Sequence, residues 1–337
     1  MFFKRRRPAN DAPTAPPAVP AHVVSAGVAS GLAGDAEHLL RRLEWTVMRR
    51  LDGLLQGNYR TLMRGTGLDL ADLREYQLHD DVRHIDWNVT ARLGQPHVRV
   101  FTEDREMSAW FLLDLSPSVD FGSSERRKRD VSAGFVATLA RLLTRHGNRV
   151  GAMLYGSGLD TVIPPGTSRR HVLHLLHALR RPPTAEGQAT RLRDLLHGGA
   201  SLMKRRSTIF VVSDFISEPG WEQAMAQLAQ RHEVVAVRLV DPLEMDLPDL
   251  GLIPIRDAET GEQLMVDTQD PGFRRRFARL AAEREAALRT TLADAGVDTL
   301  ELSTDDDLAD ALLRFIDLRR RRTRQGAVGR PAHLRVA

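Results

Sequence analysis

Two runs along the chain are apolar without alternation, and each is closed by an aspartate: "AWFLLD" ends at Asp114 and "TIFVVSD" ends at Asp214. Unbroken apolar runs of this length predict strands covered on both faces, as in a parallel sheet. "NRVGAMLYGS" and "HEVVAVRLVD" predict two more strands. Between the runs the pattern changes to helical spacing. In "ERRKRDVSAGFVATLARLLTRHG", Val131, Phe135, Leu139 and Leu142 share a face and Gly147 is the stop. "SRRHVLHLLHALRR", "TRLRDLLHGGASLMKRR" and "GWEQAMAQLAQRH" behave likewise. "LIPIRDAETGEQLMVD" predicts a hairpin turning near Glu259 to Gly261. A long helix opened by Pro271 and closed by Gly296, the strand "VDTLELST" and the helix "DDDLADALLRFIDLRRRR" complete the series. Strands alternating with helices of these lengths predict an open, doubly wound α/β fold with a mostly parallel sheet over residues 107–318.

The flanks read differently. Residues 1–33 are rich in Pro, Ala and Gly and predict a disordered leader. Leu39, Leu43, Val47 and Leu51 then mark an amphipathic helix. It opens a polar elaboration over 34–106, with a short strand candidate at Val98 to Phe101. Residues 319–337 predict a basic, disordered tail.

Composition narrows the function. Cysteine is absent, which excludes a disulfide scaffold, thiolate metal ligands and a cysteine nucleophile. No stretch approaches the roughly 18–20 consecutive apolar residues of a membrane span, and no apolar segment follows the charged start as in a secretory signal. A cytoplasmic protein is expected. Lys and Arg number 48 against 44 acidic residues, with the excess in "KRRR" and "LRRRRTRQGAVGR" near the two ends. Such blocks allow nucleic-acid binding through the tails, although solvated tails are commoner.

The chemistry concentrates where the apolar runs stop. In open parallel sheets, ligands bind beyond the carboxyl ends of the strands, which is where Asp114 and Asp214 are expected. Asp114, Ser116 and Ser118 alternate, so an extended segment can turn all three to one side. One carboxylate and two hydroxyls are hard donors, suited to magnesium, and also to manganese or calcium. A helix cap needs one such residue rather than three. A phosphate-transfer site of the D-x-D type needs a second carboxylate where Ser116 stands.

D-x-S-x-S at a strand end resembles the metal-ion-dependent adhesion site of von Willebrand factor A domains. That resemblance implies an ion completed by a threonine and a second aspartate from later loops. Thr190 in "EGQATRLRDLL" and Asp214 in "VVSDF" are the matches, with Thr167 in "PPGTSRR" as the rival threonine. Upstream, "REYQLHDDVRHIDWNVTAR" joined to "LLDLSPSVDFG" closely resembles the bacterial "domain of unknown function 58" family, over roughly Leu54 to Asp241. The sequence departs from it at His79, commonly glycine, and at Val119, commonly methionine; neither removes an oxygen ligand. The resemblance implies a non-enzymatic adaptor or co-chaperone of a MoxR-type AAA+ ATPase, with an acidic side chain of the partner completing the metal.

Its signature residues are Arg74, Tyr76, Asp80, Asp81, Arg83, His84, Asp86, Trp87 and Arg92. Asp81, His84 and Asp86 allow an acid/base cluster, and with it a metal-dependent phosphate-ester hydrolase using Asp114 and Asp214. No nucleophile or oxyanion device accompanies them. A structural network of Arg83, His84 and Asp86 anchored by Trp87 is the preferred expectation. His171, His174 and His177 lie at helical spacing without a carboxylate and predict packed or solvated histidines. "LYGSG" lacks the lysine of a phosphate-binding loop and predicts a turn.

Overall fold

The computed structural model describes residues 72–77, 82, 85–100, 108–123, 125–156, 158–180, 190–258, 261–324 and 333–334. A short antiparallel pair comes first, β1 (Asp72–Glu75) with β2 (His97–Val100), and α1 (Trp87–Leu93) lies between them in the chain. The leader and the expected helix near Leu39 to Leu51 lie outside the described residues.

The strand–helix alternation then begins with β3 (Ser108–Asp114), α2 (Lys128–Arg145), β4 (Arg149–Tyr155), β5 (Leu159–Gly166) and α3 (Arg169–Leu179). It continues through α4 (Leu192–Leu202), β6 (Thr208–Ser213), α5 (Trp221–Arg231) and β7 (Glu233–Val240). The hairpin β8 (Leu252–Arg256) and β9 (Gln263–Asp267) is followed by α6 (Pro271–Asp294), β10 (Asp298–Ser303), α7 (Leu308–Arg324) and β11 (His333–Leu334). The main sheet has the order β11-β10-β7-β6-β3-β4-β5, with every pairing parallel except β4 with β5. This is the doubly wound α/β fold.

Alternation along β3 divides the core between two helical layers. Phe111 and Leu113 face α2, α3 and α7, whereas Trp110 and Leu112 face α4, α5 and α6. On the first side the Phe111 and Phe210 rings stack at 5.3 Å, and Phe135 meets them edge-on at 6.3 and 6.0 Å. Gly151 must lack a side chain, because a Cβ there would meet the Trp110 ring at 2.9 Å.

Three elements depart from expectation. β5 escapes sequence reading because Pro164 and Pro165 interrupt it; the structure places it at the sheet edge, where prolines are tolerated. The basic run expected as a tail from 319 continues α7 as far as Arg324. Arginine is a good helix former and favoured near a helix C-terminus. Further on, His333–Leu334 pair in parallel with the open edge of β10. The hairpin forms as expected, with residues 259–260 of its turn outside the described residues.

Candidate metal centre at the strand ends

Parallel pairing of β3 with β6 brings two carboxylates to one edge of the sheet: Asp114 ends β3 and Asp214 follows β6 directly. Both are buried. Oδ2 of Asp114 accepts from Ser213 Oγ at 2.6 Å, and Oδ1 accepts from the Ser116 N–H at 2.9 Å. The latter bond turns the chain so that the Ser116 and Ser118 hydroxyls lie 3.1 Å apart, both buried. Pro117–Asp120 then form a short 3-10 turn whose N-cap, Ser116, makes no side-chain capping bond. Its hydroxyl faces Ser118 instead.

Thr190 stands just ahead of α4 and is buried at the same edge. Its carbonyl accepts from Ser217 Oγ at 2.8 Å and from the Glu218 N–H at 2.9 Å, which ties it to the loop after Asp214. The next N–H, of Arg191, donates to the Tyr155 hydroxyl at 3.2 Å, and Tyr155 is the residue paired with Asp114. Thr167 is elsewhere. It follows Gly166, which pairs with Val150 at the start of β4, so most of that strand, about 16 Å, separates it from the level of Asp114.

Electrostatics mark the pair. Burial, and then the charge of Asp214, push the Asp114 carboxyl up to about 7, against hydrogen bonds from Ser213 and Ser116 that favour its ionised form. Asp214 has a cation of its own. Lys128, wholly buried, donates from Nζ to Asp214 Oδ2 at 2.7 Å and to Glu244 Oε1 at 2.6 Å. Burial by itself would lower the ammonium, but the two carboxylates outweigh it and hold it above its ordinary value.

Phe215, next to Asp214, has a φ of 57°. A bulky residue there is strained. Its ring packs on Trp221 at 5.4 Å and its N–H donates to Ser213 Oγ at 2.9 Å, which over-determine the turn. A third strand-end aspartate, Asp241 after β7, accepts from the Ser123 N–H at 2.8 Å and Thr304 Oγ1 at 2.9 Å. Burial works against its charge, yet these bonds and one from the Leu243 N–H hold its carboxyl below the ordinary value. It clamps the loop after Ser118 to the carboxyl ends of β7 and β10.

The donor set fits a small hard cation. Hydroxyls 3.1 Å apart match adjacent vertices of an octahedron with metal–oxygen distances of about 2.1 Å, whose edge is about 3.0 Å. Among the described residues no group of three or more His, Cys, Asp or Glu side chains forms a metal cluster. An ion here would therefore depend on hydroxyls as much as on carboxylates.

Sequence reasoning missed Lys128, Ser213, Glu244 and Phe215. Lys128 carried a usable signal: it lies three and seven residues before Val131 and Phe135, in phase with the apolar face, whereas a solvated lysine belongs on the other face.

The upstream signature is only partly described. Asp80, Asp81, Arg83 and His84 lie outside the described residues, as does His79, and with them most of both the alternative acid/base cluster and the preferred structural network. Arg74 lies in β1, Tyr76 donates its N–H to the Pro96 carbonyl at 2.8 Å, and Arg92 stands in the last turn of α1. Asp86 caps α1, accepting from the Asn88 and Val89 N–H groups at 3.0 and 3.2 Å. Trp87 does not act as the expected anchor: it is 69% exposed, on a helix that buries none of its residues. Its phase in α1, directly after the cap, turns it outward. Asp86→Ala is expected to loosen α1 by about 1 kcal/mol, read as faster amide exchange at Asn88 and Val89; unchanged exchange would deny the cap its role. His171 donates from Nε2 to the Val150 carbonyl at 2.7 Å, and His174 is exposed, so the histidine run is packed or solvated.

The family model described as "Protein of unknown function DUF58" matches residues 72–287. The chain belongs to this family. The match extends past Asp241 to include the β8–β9 hairpin and most of α6. An uncharacterized protein of Mycobacterium tuberculosis is 37% identical over 283 residues, covering 84% of this chain and 89% of that one. An uncharacterized protein "in moxR 3'region" of Paracoccus denitrificans is 33% identical over 102 residues, 30% of this chain and 96% of that one. Among solved structures, the conserved hypothetical protein BatB from Bacteroides thetaiotaomicron is similar at 15% identity, with a TM-score of 0.42, over 64% of this chain and 99% of that one. The SpRpn10 VWA domain is similar at 12% identity, with a TM-score of 0.36, over 62% and 94%. Among the described residues of this DUF58 protein no helix is long and apolar enough to cross a membrane.

Proposed function

We propose that this DUF58 protein is a non-enzymatic, metal-dependent module for protein–protein interaction. Asp114, Ser116 and Ser118 hold a divalent cation, magnesium ahead of manganese or calcium, and Thr190 and Asp214 contribute directly or through water. When bound, the cation supplies an open coordination position for an acidic side chain of a protein partner. The chain's own part is to keep the hydroxyls paired, the carboxylates buried and Asp214 neutralised by Lys128.

One observation carries this reading: two buried carboxylates and two buried hydroxyls 3.1 Å apart share the carboxyl edge of a parallel sheet. The partner class, a MoxR-type AAA+ ATPase served by this protein as adaptor or co-chaperone, is supported by the family resemblance. The naming of the Paracoccus relative by its place beside moxR agrees with it. The test is surface-immobilised binding of a MoxR-type ATPase from the same organism in magnesium. Binding lost both in chelator and in Asp114→Ala is expected. Binding indifferent to both would overturn the proposal.

A further inference from the structure

Beside the strand-end site runs a groove of about 810 Å³, a volume that suits a short peptide segment. It starts at Ser118, itself one of the paired hydroxyls, and passes Phe121 and Ile216 before reaching Ile253 and Ile255 of β8 and Phe277 of α6. One wall comes from the loops that follow β3, β6 and β7; the far wall is β8 of the β8–β9 hairpin, a separate two-stranded sheet. Ile253 and Ile255 share a face, and Leu264 is the cross-strand partner of Ile255, so it extends the same apolar face to the rim. Leu264 is 68% exposed and Phe121 39% exposed. A hairpin that presents such residues to water at the lip of a groove marks an interaction surface.

Charge decides what fits. Of the charged residues lining the groove, Glu244 is engaged by Lys128 at 2.6 Å and Asp120 by Arg127 at 2.9 Å, and the opposite charges of Arg256 and Asp257 are neighbours at the end of β8. Arg284, exposed on α6, lines the groove and adds a positive charge there. We infer that the groove receives an extended segment of the partner protein in which the metal-seeking acidic residue is flanked by apolar side chains and followed by a second acidic residue facing Arg284. This rests on the metal-dependent reading above, because the groove is continuous with Ser118.

The probes are two synthetic peptides, one with a central Asp between leucines and a Glu near its end, the other with serines in place of the leucines. Fluorescence polarisation in saturating magnesium is expected to show the leucine peptide binding roughly tenfold more tightly. Leu264→Glu should remove that advantage and Arg284→Glu should weaken both peptides alike, while magnesium affinity by calorimetry and the melting temperature stay unchanged, both positions being exposed. Equal binding of both peptides, or of neither, to magnesium-loaded protein would overturn the groove assignment alone. Absence of magnesium binding would instead overturn the metal-dependent reading; leucine-peptide binding that persists there and is lost in Leu264→Glu would still uphold the groove. A concentration-dependent dimer in sedimentation velocity that Leu264→Glu dissolves would reassign the surface to a second copy of the chain and overturn the proposal.

Discussion

Asp114→Asn is expected to melt several degrees above the wild type when both are held in chelator at pH 8, and to gain nothing from added magnesium. In the wild type, burial and the neighbouring Asp214 push the Asp114 carboxyl up to about 7. The folded protein therefore binds more protons than the unfolded chain between about pH 4 and 7, so this group's contribution to stability falls as pH rises through that window. Above pH 7 the whole cost is present, on the order of 4 kcal/mol. An amide of the same shape removes the charge and keeps an acceptor for the Ser116 N–H. Binding chemistry built into a fold often opposes stability in this way. If Asp114→Asn were less stable than the wild type in chelator at pH 8, the carboxylate would be a structural residue, and the electrostatic strain assigned to it would be wrong.

Lys128→Met is expected to cost about 3–5 kcal/mol, because it leaves Asp214 and Glu244 facing each other around a buried position with no cation. Lys128 is wholly buried and bonded to both carboxylates, and Phe121 covers it at 5.9 Å from its ring centre. Methionine fills much the same volume, so the loss reports charge rather than packing. Chemical denaturation measures it. Lys128→Met combined with Asp214→Asn should recover a large part of the loss, as coupled neighbours do. A change below about 1 kcal/mol for the single variant, or no recovery in the double, would mean that the ammonium is not the counter-charge of the site.

Much of this was legible before any coordinates. "WFLLD" and "IFVVSD" are unbroken apolar runs because β3 and β6 are covered on both faces by helices, and that same burial puts their terminal aspartates at one edge. The alternate placement of Asp114, Ser116 and Ser118 was readable because a turn closed by Asp114 and Ser116 preserves their common side. Lys128 was hidden inside a run of charges, "ERRKRD", whose other members are mostly on the surface. Its partners Asp214 and Glu244 are far away in sequence, and only the packing of α2 against the strand ends brings them together. β5 was masked by its prolines. Trp87 misled because size and apolarity say nothing about which way a short helix turns its face. The groove was invisible for a further reason: its walls come from the strand-end loops, the hairpin and α6, and no local pattern joins them.

The central claim is that the strand ends hold a divalent cation through Asp114, Ser116 and Ser118. Calorimetric titration of magnesium and of manganese into the wild type and into Asp114→Ala tests it most directly. Saturable binding to the wild type and none to Asp114→Ala is the expected result. Absence of binding to the wild type, or equal binding to both proteins, would contradict it.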